Sequence, residues 1–184
     1  MEAKIVIIGA SSVGKTSIAN RYQFGKFDSS YAPTTGAAFF EKKFQFSDGQ
    51  IMKIHIWDTA GSDRFKSLGT LYYRDAHAAM IVYSVDNAES ITQVDPWLEQ
   101  LENNCNNPKV IKFLVGNKSD IEKGQRKVSL KEGKEIADAH KMDFFEVSAL
   151  FTEGGITGMF TEIIEKIRKN YNEKELSGGS AFIE

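Results

Sequence analysis

One cysteine, Cys105, three prolines and no apolar run approaching the length of a membrane span mark the 184-residue sequence by what it lacks. A single thiol can build neither an internal disulfide framework nor a multi-thiolate zinc site, so a reducing, cytosolic setting is expected. Apolar runs such as residues 5–8 and 78–83 fall far short of the roughly 20 residues that cross a bilayer, and the N-terminus has no signal-peptide core. An excess of one charge is missing too. Lys and Arg total 23 against 25 Asp and Glu, a net charge of −2, so no global field gathers phosphate backbones and nucleic acid is excluded as a non-specific partner. There is also no internal repeat, low-complexity block or Pro/Ser-rich linker ahead of the tail. What is present is ordinary for a folded chain, with 41% hydrophobic and 26% charged residues, and the length suits one domain.

Strand-like and helix-like segments alternate along the chain, the order expected of an α/β protein. Residues 4–8 form a short β-branched run ending at Gly9, the mark of a strand buried on both faces. Residues 16–24 read as a helix. The extended segments 38–46 and 51–57 flank Asp48-Gly49, a dipeptide suited to a tight reversal, and should form an antiparallel hairpin. Residues 79–85, 110–115 and 144–147 read as three further buried strands. Ser129 and Glu132 have capping-box spacing and open a helix through about His140. In the last helix Ile156, Met159, Phe160, Ile163, Ile164 and Ile167 recur every three or four residues and should line a core face. Pro96 argues for a helix that starts with Asp95 as N-cap, or for a kink. Such an order implies a mostly parallel sheet with helices on both faces, whose ligands bind in the loops after the strands.

The first of those loops is Gly9-Ala-Ser-Ser-Val-Gly-Lys-Thr16, a complete G-x-x-x-x-G-K-[ST] between a strand and a helix. Its glycines let backbone N–H groups wrap a phosphate, aided by the helix N-terminus; Lys15 adds a point charge and Thr16 a hydroxyl for magnesium. A phosphate loop alone does not choose among ATPases, nucleotide kinases and GTPases. Two later loops narrow the choice. Asp58-Thr-Ala-Gly61 ends a strand with an acid that can hold magnesium through water and a glycine whose N–H can meet a γ-phosphate oxygen. Asn117-Lys-Ser-Asp120 supplies an amide and a carboxylate at another strand end. A carboxylate accepts from both N1–H and the 2-amino group of guanine, donors that adenine lacks, and such buried pairing discriminates by roughly 10⁴ or more.

With these motifs the sequence resembles the small GTPases of the Ras superfamily, and within them the Rab family, over residues from about 3 to 172. Ser148-Ala149 and Pro33-Thr34 complete the set of five ordered motifs, and residues 35–39, 53–57, 63–68 and 72–76 resemble Rab switch and interswitch signatures. Gly36-Ala-Ala-Phe39 is most similar to the early-endosomal branch. The resemblance implies a P-loop G domain over residues 1–172, with a six-stranded sheet that is parallel but for one strand, and a flexible tail over 173–184. It implies GTP or GDP with a magnesium ion (Mg2+) as ligands. Ser11, Ser12, Val13, Gly14, Lys15, Thr16, Ser17, Phe27, Tyr31, Thr34, Gly61, Asn117, Lys118, Asp120, Ser148, Ala149 and Leu150 would line the nucleotide. Thr16, Thr34 and Asp58 would hold the metal, and Lys15, Thr34, Gly61 and Ser62 would carry the hydrolysis. Phe39, Trp57 and Tyr72 match an aromatic triad through which effectors, exchange factors and GTPase-activating proteins meet the switches.

The sequence also departs from the family pattern. Ser62 stands where most members have the Gln that orients the attacking water, and it is too short to do the same directly. Leu150 replaces a Lys after Ser148-Ala149, and Ser11 and Ser12 fill loop positions that are Gly in some relatives. The printed residues end at Glu184 without the C-terminal cysteines on which Rab proteins are prenylated. The first expectation is that the natural chain continues; the others are an unanchored protein or one part of a longer chain. Expected overall is a monomeric, slowly hydrolysing switch in vesicle trafficking, cytoplasmic or peripheral on endosomal membranes. The competing readings are a GTP-binding scaffold with negligible turnover and an ATP-dependent small-molecule kinase.

Overall fold

The computed structural model describes residues 1–28, 34, 36–61, 69–151 and 154–176. Tyr31, Pro33, Thr35, Ser62, the 63–68 signature and the tail from 177 on lie outside them. Among the described residues the strands are β1 (Glu2–Gly9), β2 (Ala37–Gln45), β3 (Ile51–Thr59), β4 (Ala78–Ser84), β5 (Ile111–Asn117) and β6 (Asp143–Glu146). They form one sheet in the order β2-β3-β1-β4-β5-β6, with β2 antiparallel to β3 and every other pairing parallel. Asp48-Gly49 makes the reversal, where Gly49 adopts φ 85° and Gln50 N–H donates to Asp48 Oδ1 at 3.1 Å.

Among the described residues six helices accompany the sheet: α1 (Lys15–Phe24), α2 (Gly69–Tyr73), α3 (Ala88–Thr92), α4 (Val94–Asn104), α5 (Leu130–Ala139) and α6 (Ile156–Asn170). The alternation of β1 explains the two layers. Ile5 and Ile7 face a core shared with Ile18 and Tyr22 of α1 and the Ile156–Ile167 stripe of α6. Val6 and Ile8 face the opposite core, with Ile91, Val94, Trp97, Leu98 and Leu101 of α3 and α4 and Ala137 of α5. The expected α6 stripe is buried throughout, and Phe160 stacks on Tyr22 with ring centroids 3.9 Å apart. Ser129 caps α5 as its spacing predicts, its Oγ accepting from Glu132 N–H at 3.1 Å.

Two expectations need correction. Asp95 is not an N-cap: α3 ends at Thr92, Gln93 caps α4, and the helix begins at Val94. Pro96 therefore sits in the first turn, where backbone N–H groups have no intrahelical acceptor and a missing donor costs nothing. The packed body also continues past 172. Leu176 is buried, its N–H donates to Asn172 O at 3.1 Å, and its carbonyl accepts from Glu2 N–H at 2.6 Å.

Strand order reverses around β1, whose chain leaves to one side through β2 and β3 and then to the other through β4. Ligands of open α/β sheets bind at such a switch point, beyond the carboxyl ends of the strands. The loops after β1, β3 and β5 all open there.

Candidate functional site

The β1–α1 loop curls because two of its residues take left-handed backbone conformations, Ser12 at φ 64° and Gly14 at φ 94°. Gly14 is required for space as well: a Cβ there would stand 2.2 Å from Asn117 Nδ2. Ser11 and Ser12 are exposed while Val13 is buried, so the two serines fill the outer lip of the loop. Ser17, in the first turn of α1, is half-buried. Lys15 folds back into the curl, with Nζ donating to Gly9 O at 2.8 Å and Ala10 O at 2.7 Å. Burial lowers its pKa to about 8, with Asp58 opposing the shift. A phosphate in the loop would favour the ammonium form further.

The end of β3 supplies the acid. Asp58 is fully buried; its Oδ2 accepts from Thr16 Oγ1 at 2.6 Å, and Thr16 Oγ1 also lies 2.7 Å from Thr34 Oγ1. Its other oxygen, Oδ1, is buried without a hydrogen-bond partner. Burial raises the Asp58 pKa to about 6, while the Thr16 hydrogen bond and Lys15 oppose the shift. A buried carboxylate with an unsatisfied oxygen, beside two hydroxyls, is a set of hard oxygen donors of the kind magnesium takes along with phosphate oxygens. Thr16, Thr34 and Asp58 thus converge. Gly61 follows in tight contact: a Cβ there would lie 2.5 Å from Ala10 backbone atoms and from Lys15 Nζ.

At the end of β5, Asn117 is 2% exposed. Its Nδ2 donates to Val13 O at 2.9 Å, and its Oδ1 accepts from Ala149 N–H at 3.2 Å. One side chain therefore ties the phosphate loop to the Ser148-Ala149 loop. Ser148 Oγ donates to Asp120 Oδ1 at 2.5 Å and accepts from Leu150 N–H at 3.2 Å. Lys118, held at φ 65°, places Nζ 3.2 Å from Asp86 Oδ2. Leu150, next to Ala149, is 43% exposed, and Phe27 is 37% exposed.

The three aromatic residues also meet. Phe39 and Trp57 lie 5.1 Å apart between ring centroids, and Trp57 and Tyr72 lie 5.6 Å apart. Two contributors escaped the sequence reading. Lys4 is buried beneath this cluster; its Nζ donates to Arg74 O at 2.8 Å and sits 5.0 Å over the Trp57 ring. Arg21 of α1 donates to the carbonyls of Ala149 and Leu150. Neither belongs to a motif, and the Arg74, Ala149 and Leu150 carbonyls they hold lie 70 and 128 or more residues away, so no local signal marks these contacts.

Residues 4–169 match the Ras family. The Ras-related protein Rab-18-B of Danio rerio is 42% identical over 164 residues, covering 89% of this chain and 78% of its own length. The human Ras-related protein Rab-17 is 37% identical over 171 residues, 93% of this chain and 79% of its own. RabC of Dictyostelium discoideum is 37% identical over 175 residues, with 95% and 88% covered.

Proposed function

The chain belongs to the Ras family, among its Rab proteins, and from that premise we propose that it is a small GTPase working as a guanine-nucleotide switch in membrane trafficking. The observation that carries the reading is Asn117, whose amide joins Val13 of the phosphate loop to Ala149 of the opposite loop. A brace of that kind fits a ligand with phosphates at one end and a purine at the other. Asp120 would take the N1–H and 2-amino donors of guanine, and Ala149 N–H its O6. Lys15 would hold the β- and γ-phosphates. Thr16, Thr34 and Asp58 would hold a magnesium ion, which when bound neutralises charge on the phosphate oxygens.

In hydrolysis a water attacks the γ-phosphorus, the bond to the β–γ bridging oxygen breaks, and GDP and phosphate leave. Lys15 and the N–H of Gly61 stabilise the departing charge, while Thr34 and Gly61 lose their γ-phosphate partner afterwards. Ser62 has no amide with which to orient that water, so turnover is slow and the GTP-bound state is favoured. The same feature supports a second reading, a scaffold that binds GTP without useful turnover. In either case the Phe39-Trp57-Tyr72 surface is the docking face for effectors and regulators, and the protein acts as a monomer that meets endosomal or vesicle membranes peripherally. Among the described residues no helix is long and apolar enough to cross a membrane.

Competition binding tests the reading. GTP or GDP should displace a labelled guanine nucleotide far better than ATP, and Asp120→Ala should erase the preference. Equal competition by ATP and GTP in the wild type would refute it.

A further inference from the structure

Arg21 lies in the last turn of α1 and makes three hydrogen bonds to backbone carbonyls in two separate loops. Nε donates to Ala149 O at 2.9 Å, Nη2 to Leu150 O at 2.7 Å, and Nη1 to Gly25 O at 2.8 Å. A basic residue near a helix C-terminus commonly meets its last carbonyls, which accounts for the Gly25 contact. It does not account for the other two, whose acceptors belong to the loop after β6.

The consequences run outward through hydrogen bonds already in place. The peptide between Ala149 and Leu150 is held at both ends, its carbonyl by Arg21 Nε and its N–H by Ser148 Oγ. That hydroxyl in turn donates to Asp120. On the other side, Gly25 O is the third acceptor, and Phe27 follows two residues later. One guanidinium thus joins the loop carrying Ala149 and the segment leading into Phe27, the two walls that would flank a base. A planar fork can make these bonds in fixed directions at once, whereas an ammonium cannot.

We propose that Arg21 is a positioning residue for the nucleotide base: through the Ala149–Leu150 peptide and Ser148 it sets the Ala149 N–H and the Asp120 carboxylate, without touching the ligand. The proposal deepens the guanine-nucleotide reading and rests on it. Arg21 governs how long the base stays bound and makes no direct contact with the phosphate loop, because none of its three acceptors lies in residues 9–17.

The test compares two probes on the full chain: GDP, and ribose 5-diphosphate, which keeps the phosphates and lacks the base. Arg21→Met keeps an apolar stem and removes every donor. It should weaken GDP by about tenfold or more, the effect of losing charge-assisted hydrogen bonds, and leave ribose 5-diphosphate within about twofold. Arg21→Lys keeps the charge but not the fork, so it should lose GDP affinity by a smaller factor with the same indifference to the base-free probe; it remains informative should Arg21→Met not fold. Unchanged GDP affinity in both variants, or an equal loss for both probes, overturns the proposal. A wild-type chain that binds GDP no better than ribose 5-diphosphate instead refutes the guanine reading.

Discussion

Replacing Asn117 with alanine strips two hydrogen bonds from a side chain that is 2% exposed. Val13 O loses the amide donor held at 2.9 Å, and Ala149 N–H loses its acceptor at 3.2 Å. Each such bond is worth about 0.5–1.5 kcal/mol net, rising toward about 3 where the abandoned partner stays buried. Together they amount to about 2–4 kcal/mol. Because the two loops meet through this amide, a large part of the loss should fall on ligand binding, and about 1.5–3 kcal/mol there weakens GDP by roughly ten- to a hundredfold. Gly14→Ala probes the same contact from the other side, since its Cβ would stand 2.2 Å from Asn117 Nδ2. Alone it should be severe. In the Asn117→Ala background the collision is gone and only the cost of a left-handed alanine at φ 94° remains, about 1–2 kcal/mol. Equilibrium titration of GDP on the wild type, both single variants and the double variant measures the coupling. Two effects that add within about 0.5 kcal/mol, or an Asn117→Ala affinity within about threefold of wild type, would show that the amide does not brace the site.

Two further outcomes are expected. Single-turnover hydrolysis by Ser62→Gln should exceed the wild-type rate by about tenfold, or about 1.4 kcal/mol of barrier; a wild-type rate at or above the variant's would mean that another group already orients the water. His77 is buried, its Nδ1 accepts from Lys4 N–H at 3.1 Å, and burial lowers its pKa. The unfolded chain therefore takes up a proton at this position before the folded one does, and stability should decline as pH falls from about 6.5 toward the folded pKa, by at most about 1.4 kcal/mol per pH unit. Urea unfolding should show a shallower decline in His77→Gln, and identical slopes would contradict the assignment.

The parts of this fold legible in the sequence are those specified locally. Strands β1, β4 and β5 announce themselves as short apolar runs, Asp48-Gly49 as a reversal, and Ser129 with Glu132 as a helix start. The phosphate loop is legible because its chemistry demands glycines, a lysine and a threonine at fixed spacing. Pro96 misled because a proline in a first turn and a proline just after an N-cap leave nearly the same local signature; the packing of Val94, Trp97, Leu98 and Leu101 on the sheet decides between them. Leu176 reads as tail because a lone apolar residue after a helix carries no periodicity, and its burial follows from pairing with β1. Arg21 and Lys4 stayed invisible for a related reason: each acts on backbone carbonyls, which have no residue identity to read.

Hydrogen exchange with GDP and with a non-hydrolysable GTP analogue tests the switch most directly. Residues 26–40 and 61–75 should exchange more slowly with the triphosphate, because Thr34 and Gly61 then have a γ-phosphate to hold, while β4 and α6 stay equally protected in both states. Identical protection of both segments in the two nucleotide states would contradict a switch and leave a GTP-binding scaffold in its place.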